Sequence, residues 1–172
     1  MTAARQERKV RRRKAVSRTI LGMTALVAAA VFAPTPIRAA ISELVIANRY
    51  TGLAIDGFDP VAYFVDGVPK PGGADLELPF GGATWRFRNE GNRSAFAAAP
   101  QVYAPRFGGH DPVALARGVA TPGNPTLWLI AQKRLYFFYS AEARTAFSRD
   151  PEKTIEEAER NWSEVRSGLV RN

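Results

Sequence analysis

Two stretches of alternating apolar and polar residues constrain the fold of this chain more than any other feature. In the first, "DLELPF" and "ATWRFRN" flank Gly81-Gly82; in the second, "TLWLIA" and "RLYFFYS" flank Gln132-Lys133. A period of two places successive side chains on opposite faces of a β-strand, and a two-residue connection is typical of a hairpin. The sequence therefore predicts two antiparallel β-hairpins.

Capping and turn residues predict short helices around these hairpins. The predicted helices and the residues that begin them are 90–99 after Asn89, 112–117 after Asp111, 141–147 after Ser140, and a last helix starting at Asp150-Pro151. The predicted fold class is α+β: a small single domain of antiparallel β-hairpins with short helices, preceded by an N-terminal hydrophobic export segment. No internal repeat is apparent, except that a helix follows each hairpin.

The positive charge of the chain is concentrated at its N-terminus. The net charge is +8, from 24 Lys and Arg against 16 Asp and Glu. Residues 1–39 hold nine of the basic residues and one of the acidic ones, which leaves 15 of each for residues 40–172. A neutral folded part lacks the basic surface that binds phosphate backbones. We therefore predict no nucleic-acid partner.

The N-terminal region is typical of an export signal. A basic run, "RKVRRRKAVSR", precedes the uncharged Thr19–Ala33, and "PTPIRAA" ends at Ala39, a suitable residue before a cleavage site. Ile37 is larger than the residue preferred upstream of such a site. The alternative that the segment is an uncleaved membrane anchor therefore stays open. We predict that residues 1–39 are a signal peptide or N-terminal membrane anchor and 40–53 a linker. The protein would be exported to the periplasm or cell envelope, with membrane contact only through this segment.

The chain contains no cysteine, which excludes disulfides, thiolate metal sites and cysteine nucleophiles. Ser94, Ser140 and Ser148 lie in helical or capping contexts without the small residues of a nucleophile elbow. The glycine pairs lack the spacing and the lysine of a phosphate-binding loop. No catalytic residue is predicted.

Several motifs in order resemble the YHS domain family, and more narrowly its exported bacterial members. They are "GFDPVAYF", "GATWRFRNEGNRSAFAAAPQVYAPRFGG" and "TPGNPTLWLIAQKRLYFFYS", within a match from about Ala54 to Trp162. The resemblance implies a small α+β domain, assigned here to residues 54–165 with 166–172 as a C-terminal tail, and an association with heavy-metal handling. Many exported relatives follow the double glycine with Tyr and then Cys or selenocysteine. Here His110 and Asp111 take those positions, so the resemblance implies no thiol chemistry.

The stretch "FGGHDPVALARG" holds the only histidine of the chain and is the candidate site. Asp111 before Pro112 has the pattern of a helix N-cap, for which an asparagine or serine oxygen would also serve. The alternative interpretation is that the Asp111 carboxylate is a hard ligand for a metal ion. His110 is either a partly buried ring or a neutral imidazole that binds metal or transfers protons.

Zinc requires three or four protein ligands, so the pair needs further donors. Asp59 would be one if the "DPVAY" turn lies beside the bend, and Asp56 and Glu90 are more distant candidates. The predicted site residues are Asp59, Tyr63, Phe107, Gly108 and Gly109 for a small ligand, and His110 and Asp111 for metal.

Two hypotheses about function follow. The first is an exported, non-enzymatic YHS-domain module that binds a small ligand or a metal ion near the Phe107–Asp111 bend, with a divalent ion as a possible cofactor. The second is a degenerate member of a redox or metal-handling family that acts as a scaffold or enzyme accessory protein. The identity of the ligand and of any protein partner stays open.

Overall fold

Both predicted hairpins are present in the computed structural model, which describes residues 45–170. Strand β1 (Gly73–Phe80) pairs with β2 (Ala83–Phe87), and β3 (Asn124–Ala131) pairs with β4 (Arg134–Phe138), each pair antiparallel. Each hairpin forms its own two-stranded sheet. The α+β class is confirmed, whereas the predicted export segment lies outside the described residues.

The two hairpin turns use the same backbone geometry with different residues. Gly81 and Gly82 have φ of 63° and 82°, and Gln132 and Lys133 have φ of 49° and 58°. Positive φ at both central positions is the type I′ geometry, whose twist matches that of paired strands. Glycine adopts it without steric cost, so the second turn carries more backbone strain than the first.

Six helices and two 3₁₀ turns surround the hairpins within residues 45–170. They are a first 3₁₀ turn Ile55–Gly57, α1 (Ala62–Val65), α2 (Glu90–Ala98), α3 (Pro100–Tyr103), a second 3₁₀ turn Arg106–Gly109, α4 (Pro112–Leu115), α5 (Ala141–Arg149) and α6 (Pro151–Val170). The caps Asn89 and Ser140 are confirmed, because each side chain accepts a hydrogen bond from a backbone N–H three residues later. Asp150 does the same at the start of α6.

The segments on either side of the predicted domain contact it. The Ile46 N–H donates to the carbonyl oxygen of Gly108 at 2.8 Å, and Ala47 pairs with Ala54 in an isolated bridge. At the other end, α6 continues beyond Val165 to Val170, and Leu169 packs against buried apolar residues. Within the segments assigned to a linker and to a tail, Ile46, Ala47 and Leu169 therefore contact the domain.

The domain consists of two copies of one structural unit. This repeat was not apparent from the sequence patterns. The first unit is residues 55–103 and the second is residues 106–170. Each begins with a 3₁₀ turn of left-handed backbone, followed by Asp-Pro, a short helix, a hairpin, a capped nine-residue helix, and a proline that begins the next helix. The register of each hairpin shifts at the same place, between Gly73 and Glu77 and between Asn124 and Trp128.

Backbone hydrogen bonds outside the strands also repeat. The N–H of each Asp-Pro aspartate bonds to a carbonyl shortly before the hairpin, and a glycine before each hairpin bonds back to the 3₁₀ turn. The pairs are Asp59–Lys70 at 2.8 Å and Asp111–Thr121 at 2.9 Å, then Gly72–Gly57 at 2.9 Å and Gly123–Gly109 at 3.0 Å. Because the same backbone connections occur in both units, the two units repeat one backbone structure.

The repeat is also readable in the sequence once the units are aligned. "GFDPVA" matches "GHDPVA", "LEL" matches "LWL", and "RSAF" matches "RTAF". Gly57 and Gly109 are 52 positions apart, whereas Leu76 and Leu127 are 51 apart, so one residue is missing from the second unit between them.

Two aromatic cores share strand β4. In the first core Phe96 packs against Trp85 at 4.8 Å between ring centroids, and in the second Phe147 packs against Tyr136 at 5.2 Å. Along β4, Leu135 and Phe137 are buried in the first core, while Tyr136 and Phe138 are buried in the second. Alternation along one strand thus joins the two units.

Within residues 45–170, no helix combines the length and the apolar character that crossing a bilayer requires.

The repeat predicts equal effects of alanine at two equivalent glycines. A Cβ at Gly72 would overlap the backbone of Arg86 and Phe87, and one at Gly123 would lie 2.6 Å from Cβ of Phe137. Gly72→Ala and Gly123→Ala should each lower the free energy of unfolding by roughly 1–3 kcal/mol, the usual cost of overpacking. Urea denaturation followed by circular dichroism measures both.

The matched control is Gly168→Ala in α6, where an added Cβ meets no atom within 4 Å. This variant should be as stable as the parent or more stable by roughly 0.5–1 kcal/mol. A Gly72 or Gly123 variant that matches this control would contradict the close approach of glycine and strand.

Candidate functional site

Asp59 is fully buried and its carboxylate is occupied by protein donors. One oxygen, Oδ1, accepts from the Val61 N–H at 2.9 Å. The other, Oδ2, accepts from the Arg88 N–H at 2.9 Å and from Nδ2 of Asn92 at 2.6 Å. Asp59 therefore caps the turn that leads into α1 and holds the residue that follows β2, and both of its oxygens have partners within the protein.

Asp111 makes the equivalent connections in the second unit and is 2% exposed. Its Oδ1 accepts from the N–H groups of Val113 at 2.7 Å and Ala114 at 3.4 Å, which confirms the predicted N-cap. Its Oδ2 accepts from the N–H of Tyr139, just after β4, at 2.9 Å. An asparagine oxygen would also serve the N-cap, but an amide has only one acceptor oxygen and could not also accept from Tyr139.

The two carboxylates are the same residue in two copies of one unit. Each lies inside its own unit and bonds to the backbone two residues later and to the residue that follows that unit's hairpin. The sequence hypothesis joined Asp59, His110 and Asp111 in one metal site. Within residues 45–170, no group of three or more His, Asp or Glu side chains is placed to hold a metal ion.

His110 occupies an aromatic position in the second core. Its ring is 6% exposed and lies 5.5 Å from the ring of Trp162, and Nδ1 is 2.8 Å from the carbonyl oxygen of Phe107. Phe58 is the equivalent residue of the first unit, since Phe58 and His110 make the same isolated bridge, to Pro71 and Pro122. Burial lowers the pKa of His110 from its ordinary 6.5, and the hydrogen bond with Phe107 partly offsets this.

Tyr63 connects the first unit to the second. Its hydroxyl donates to the carbonyl oxygen of Pro125 at 2.9 Å, and its ring packs against Trp128 and Phe137 at 5.3 and 5.4 Å. Burial, reinforced by the carboxylates of Asp56 and Asp59, raises the pKa of the Tyr63 hydroxyl. The hydroxyl is thus a neutral donor with a structural partner.

The three remaining predicted residues form the bend itself. Phe107 is fully buried in the second core although its φ is 54°. The Gly108 carbonyl accepts from Ile46. Gly109 has φ of 93° and borders a cavity.

That cavity has a volume of about 80 Å³ and lies where the first 3₁₀ turn adjoins the bend. It is lined by Ile46, Ala47, Asn48, Ile55, Asp56, Gly109, Gly123, Pro125 and Phe137. The acidic residue beside the bend at this cavity is Asp56 of the first 3₁₀ turn, a more distant candidate by sequence, whereas Asp59 of the "DPVAY" turn is not among the lining residues.

Asp56 is the charged side chain of this lining. It is exposed and has φ of 52°, a left-handed conformation that aspartate and asparagine adopt more readily than most residues. Its signal in the sequence was the "DG" pair before "FDP", which is typical of a turn.

No protein-family model, no curated protein and no solved structure matches the chain. The YHS resemblance therefore stays a prediction.

The geometry of the two buried aspartates predicts that asparagine cannot replace them. In Asp59→Asn or Asp111→Asn the amide nitrogen would face a backbone N–H, which leaves a buried donor unpaired. Each variant should lose roughly 1–3 kcal/mol of unfolding free energy. Asp150→Asn is the matched control, because Asp150 accepts from Lys153 alone at the surface and should lose less than about 0.5 kcal/mol. Equal stability of all three variants in urea denaturation would contradict the double role of the carboxylate.

Burial of neutral His110 predicts that stability falls in mild acid. Because its folded pKa is lowered, the unfolded chain takes up a proton first as pH drops below about 6.5, so the free energy of unfolding decreases by up to about 1.4 kcal/mol per pH unit until the folded pKa is reached. His110→Phe, which copies Phe58, should remove this component. Denaturation midpoints of both proteins between pH 7.5 and pH 5 measure it; parallel curves would refute the prediction.

Proposed function

We propose that the chain is an exported, non-enzymatic binding module of the YHS type whose ligand is a small organic cation. The binding site would be the cavity between Asp56 and Gly109. The single observation that supports this is the cavity itself, in whose lining, next to the predicted bend, Asp56 is the one charged residue and Phe137 the one aromatic residue. Its size and its charge argue for the ligand class separately.

The size of the cavity limits the ligand to a few non-hydrogen atoms. Drug-sized ligands and cofactors occupy pockets of roughly 300–1,000 Å³. At about 80 Å³ this cavity is well below that range. A small amine or ion is compatible with it, whereas a nucleotide or flavin is not.

The charge and composition of the lining favour an ammonium group over a metal ion. Asp56 provides one carboxylate, and Phe137, Ile46 and Ile55 provide apolar surface. An aromatic ring and a carboxylate together attract an organic cation. Calcium would take six to eight oxygen ligands and zinc about four ligands, which one carboxylate does not approach.

The alternative, a scaffold or accessory protein, rests on a different observation. Asp111, at the position that the resemblance gives to a cysteine or selenocysteine, is engaged in hydrogen bonds, and the His110 ring packs against Trp162. If the bend binds no ligand, the chain would act by contacting another protein through its surface. The export proposal depends on residues 1–39 and applies to both alternatives.

Ethylammonium is a suitable first probe because its three non-hydrogen atoms suit the cavity. At the best efficiency of very small ligands, roughly −1.5 kcal/mol per non-hydrogen atom, its dissociation constant would be no lower than about 0.5 mM. Titration followed by NMR should shift the amide signals of Gly109 and Gly123, while the amide of Gly168 stays unchanged. Zinc and manganese chloride should not raise the melting temperature.

Asp56→Asn is the matched variant, since asparagine keeps the left-handed backbone and removes the charge. It should fold like the parent and lose the ethylammonium response. Absence of any response in the parent would refute the ligand proposal and favour the scaffold. A metal-induced rise in melting temperature that Asp111→Asn abolishes would restore the metal hypothesis.

A further inference from the structure

The turn formed by residues 49–52 lies beside the tip of the first hairpin. Asn48 shapes the turn, since its Oδ1 accepts from the N–H groups of Tyr50 and Thr51 at 3.0 and 3.2 Å. The Thr84 N–H donates to the Gly52 carbonyl at 2.9 Å, which holds the turn against β2. Residues 49–52 and 79–82 thus form one surface, called the turn–tip surface below.

The turn–tip surface exposes aromatic side chains without acidic neighbours in its own segments. Tyr50 is 88% exposed and Phe80 is 40% exposed. The segments read "RYTG" and "PFGG", so Arg49 carries their one charge. In the sequence, the acidic residue closest to the second segment is Glu77 of β1, and its carboxylate is paired with Arg86 at 2.8 Å. Exposed Tyr and Phe with a basic residue are typical of protein that meets a membrane interface.

The chain enters the domain at this same surface. Val45, the first described residue, lies against the hairpin tip, where a Cβ added to Gly81 would be 3.3 Å from its Cγ2. The apolar run ends at Ala33, so 11 residues, 34–44, separate it from Val45. Fully extended, they span at most roughly 40 Å, so an anchor would hold the domain close to the bilayer.

We propose that the turn–tip surface rests on the membrane, with Tyr50 and Phe80 in the headgroup region and Arg49 beside anionic lipid. Two aromatic side chains are too few to recruit a free protein. A tether removes that requirement, because it supplies a high local concentration and leaves only orientation to be determined. The proposal rests on the uncleaved-anchor alternative and is independent of the ligand cavity.

The absence of cysteine makes a direct test possible, because one introduced thiol labels one position. The full chain is reconstituted into vesicles of three parts phosphatidylcholine to one part phosphatidylglycerol, with a fluorophore on Thr51→Cys or on Ser163→Cys. Thr51 lies in the turn, and Ser163 is exposed on α6. Spin-labelled lipid should quench the Thr51 label several-fold more than the Ser163 label.

Tyr50→Ser, which removes a side chain already in solvent, should reduce the difference, and adding Phe80→Ser should reduce it further. Unchanged circular dichroism shows that the domain remains folded. Equal quenching at the two positions, or quenching that Tyr50→Ser does not alter, overturns the proposal. The proposal is also overturned if the protein isolated from its native cells begins at residue 40, because the tether would then be absent.

Discussion

The structure depends on a buried aspartate that joins two elements which are unstable alone. A four-residue helix has too few hydrogen bonds to form in water, and a two-stranded hairpin is marginal. In each unit one carboxylate oxygen accepts from the N–H two residues later, at or just before the start of the short helix, and the other accepts from the residue after the hairpin. These hydrogen bonds hold the short helix close to the end of the hairpin, where the aromatic core packs.

Strand β4 prevents the two units from being independent domains. Because its alternate side chains enter different cores, either unit alone would leave one face of the strand uncovered. The hydroxyl of Tyr63 adds a second connection across the units. Unfolding of the described region should therefore be a single cooperative event, although its architecture is repeated.

The sequence predicted what depends on near neighbours. Hairpins and caps follow from residues within a few positions of each other, so Asn89, Ser140 and the first oxygen of Asp111 were predicted correctly. The second oxygens of Asp59 and Asp111 bond to residues 29 and 28 positions away, which no local pattern shows. The lining of the cavity at Asp56 comes from five separate stretches of the chain, so local patterns could not show its position either.

The repeat was hidden for a different reason. Its spacing changes from 52 to 51 positions within the unit, and differing residues such as Phe58 and His110 fill equivalent places. A comparison at one fixed offset loses either the "DPVA" match or the "LxL" match. The physical requirement that is repeated is a set of backbone hydrogen bonds, and side chains of different type meet it.

Viewed from the backbone, the position of Asp111 is an anion-stabilising pocket that the chain fills with its own charge. Three N–H groups, two at a helix start and one after a strand, point at whatever side chain stands there. A thiol introduced by Asp111→Cys would meet the same N–H groups, which would favour its thiolate over the protonated form. The position thus suits a negative charge, and this chain supplies that charge with a structural carboxylate.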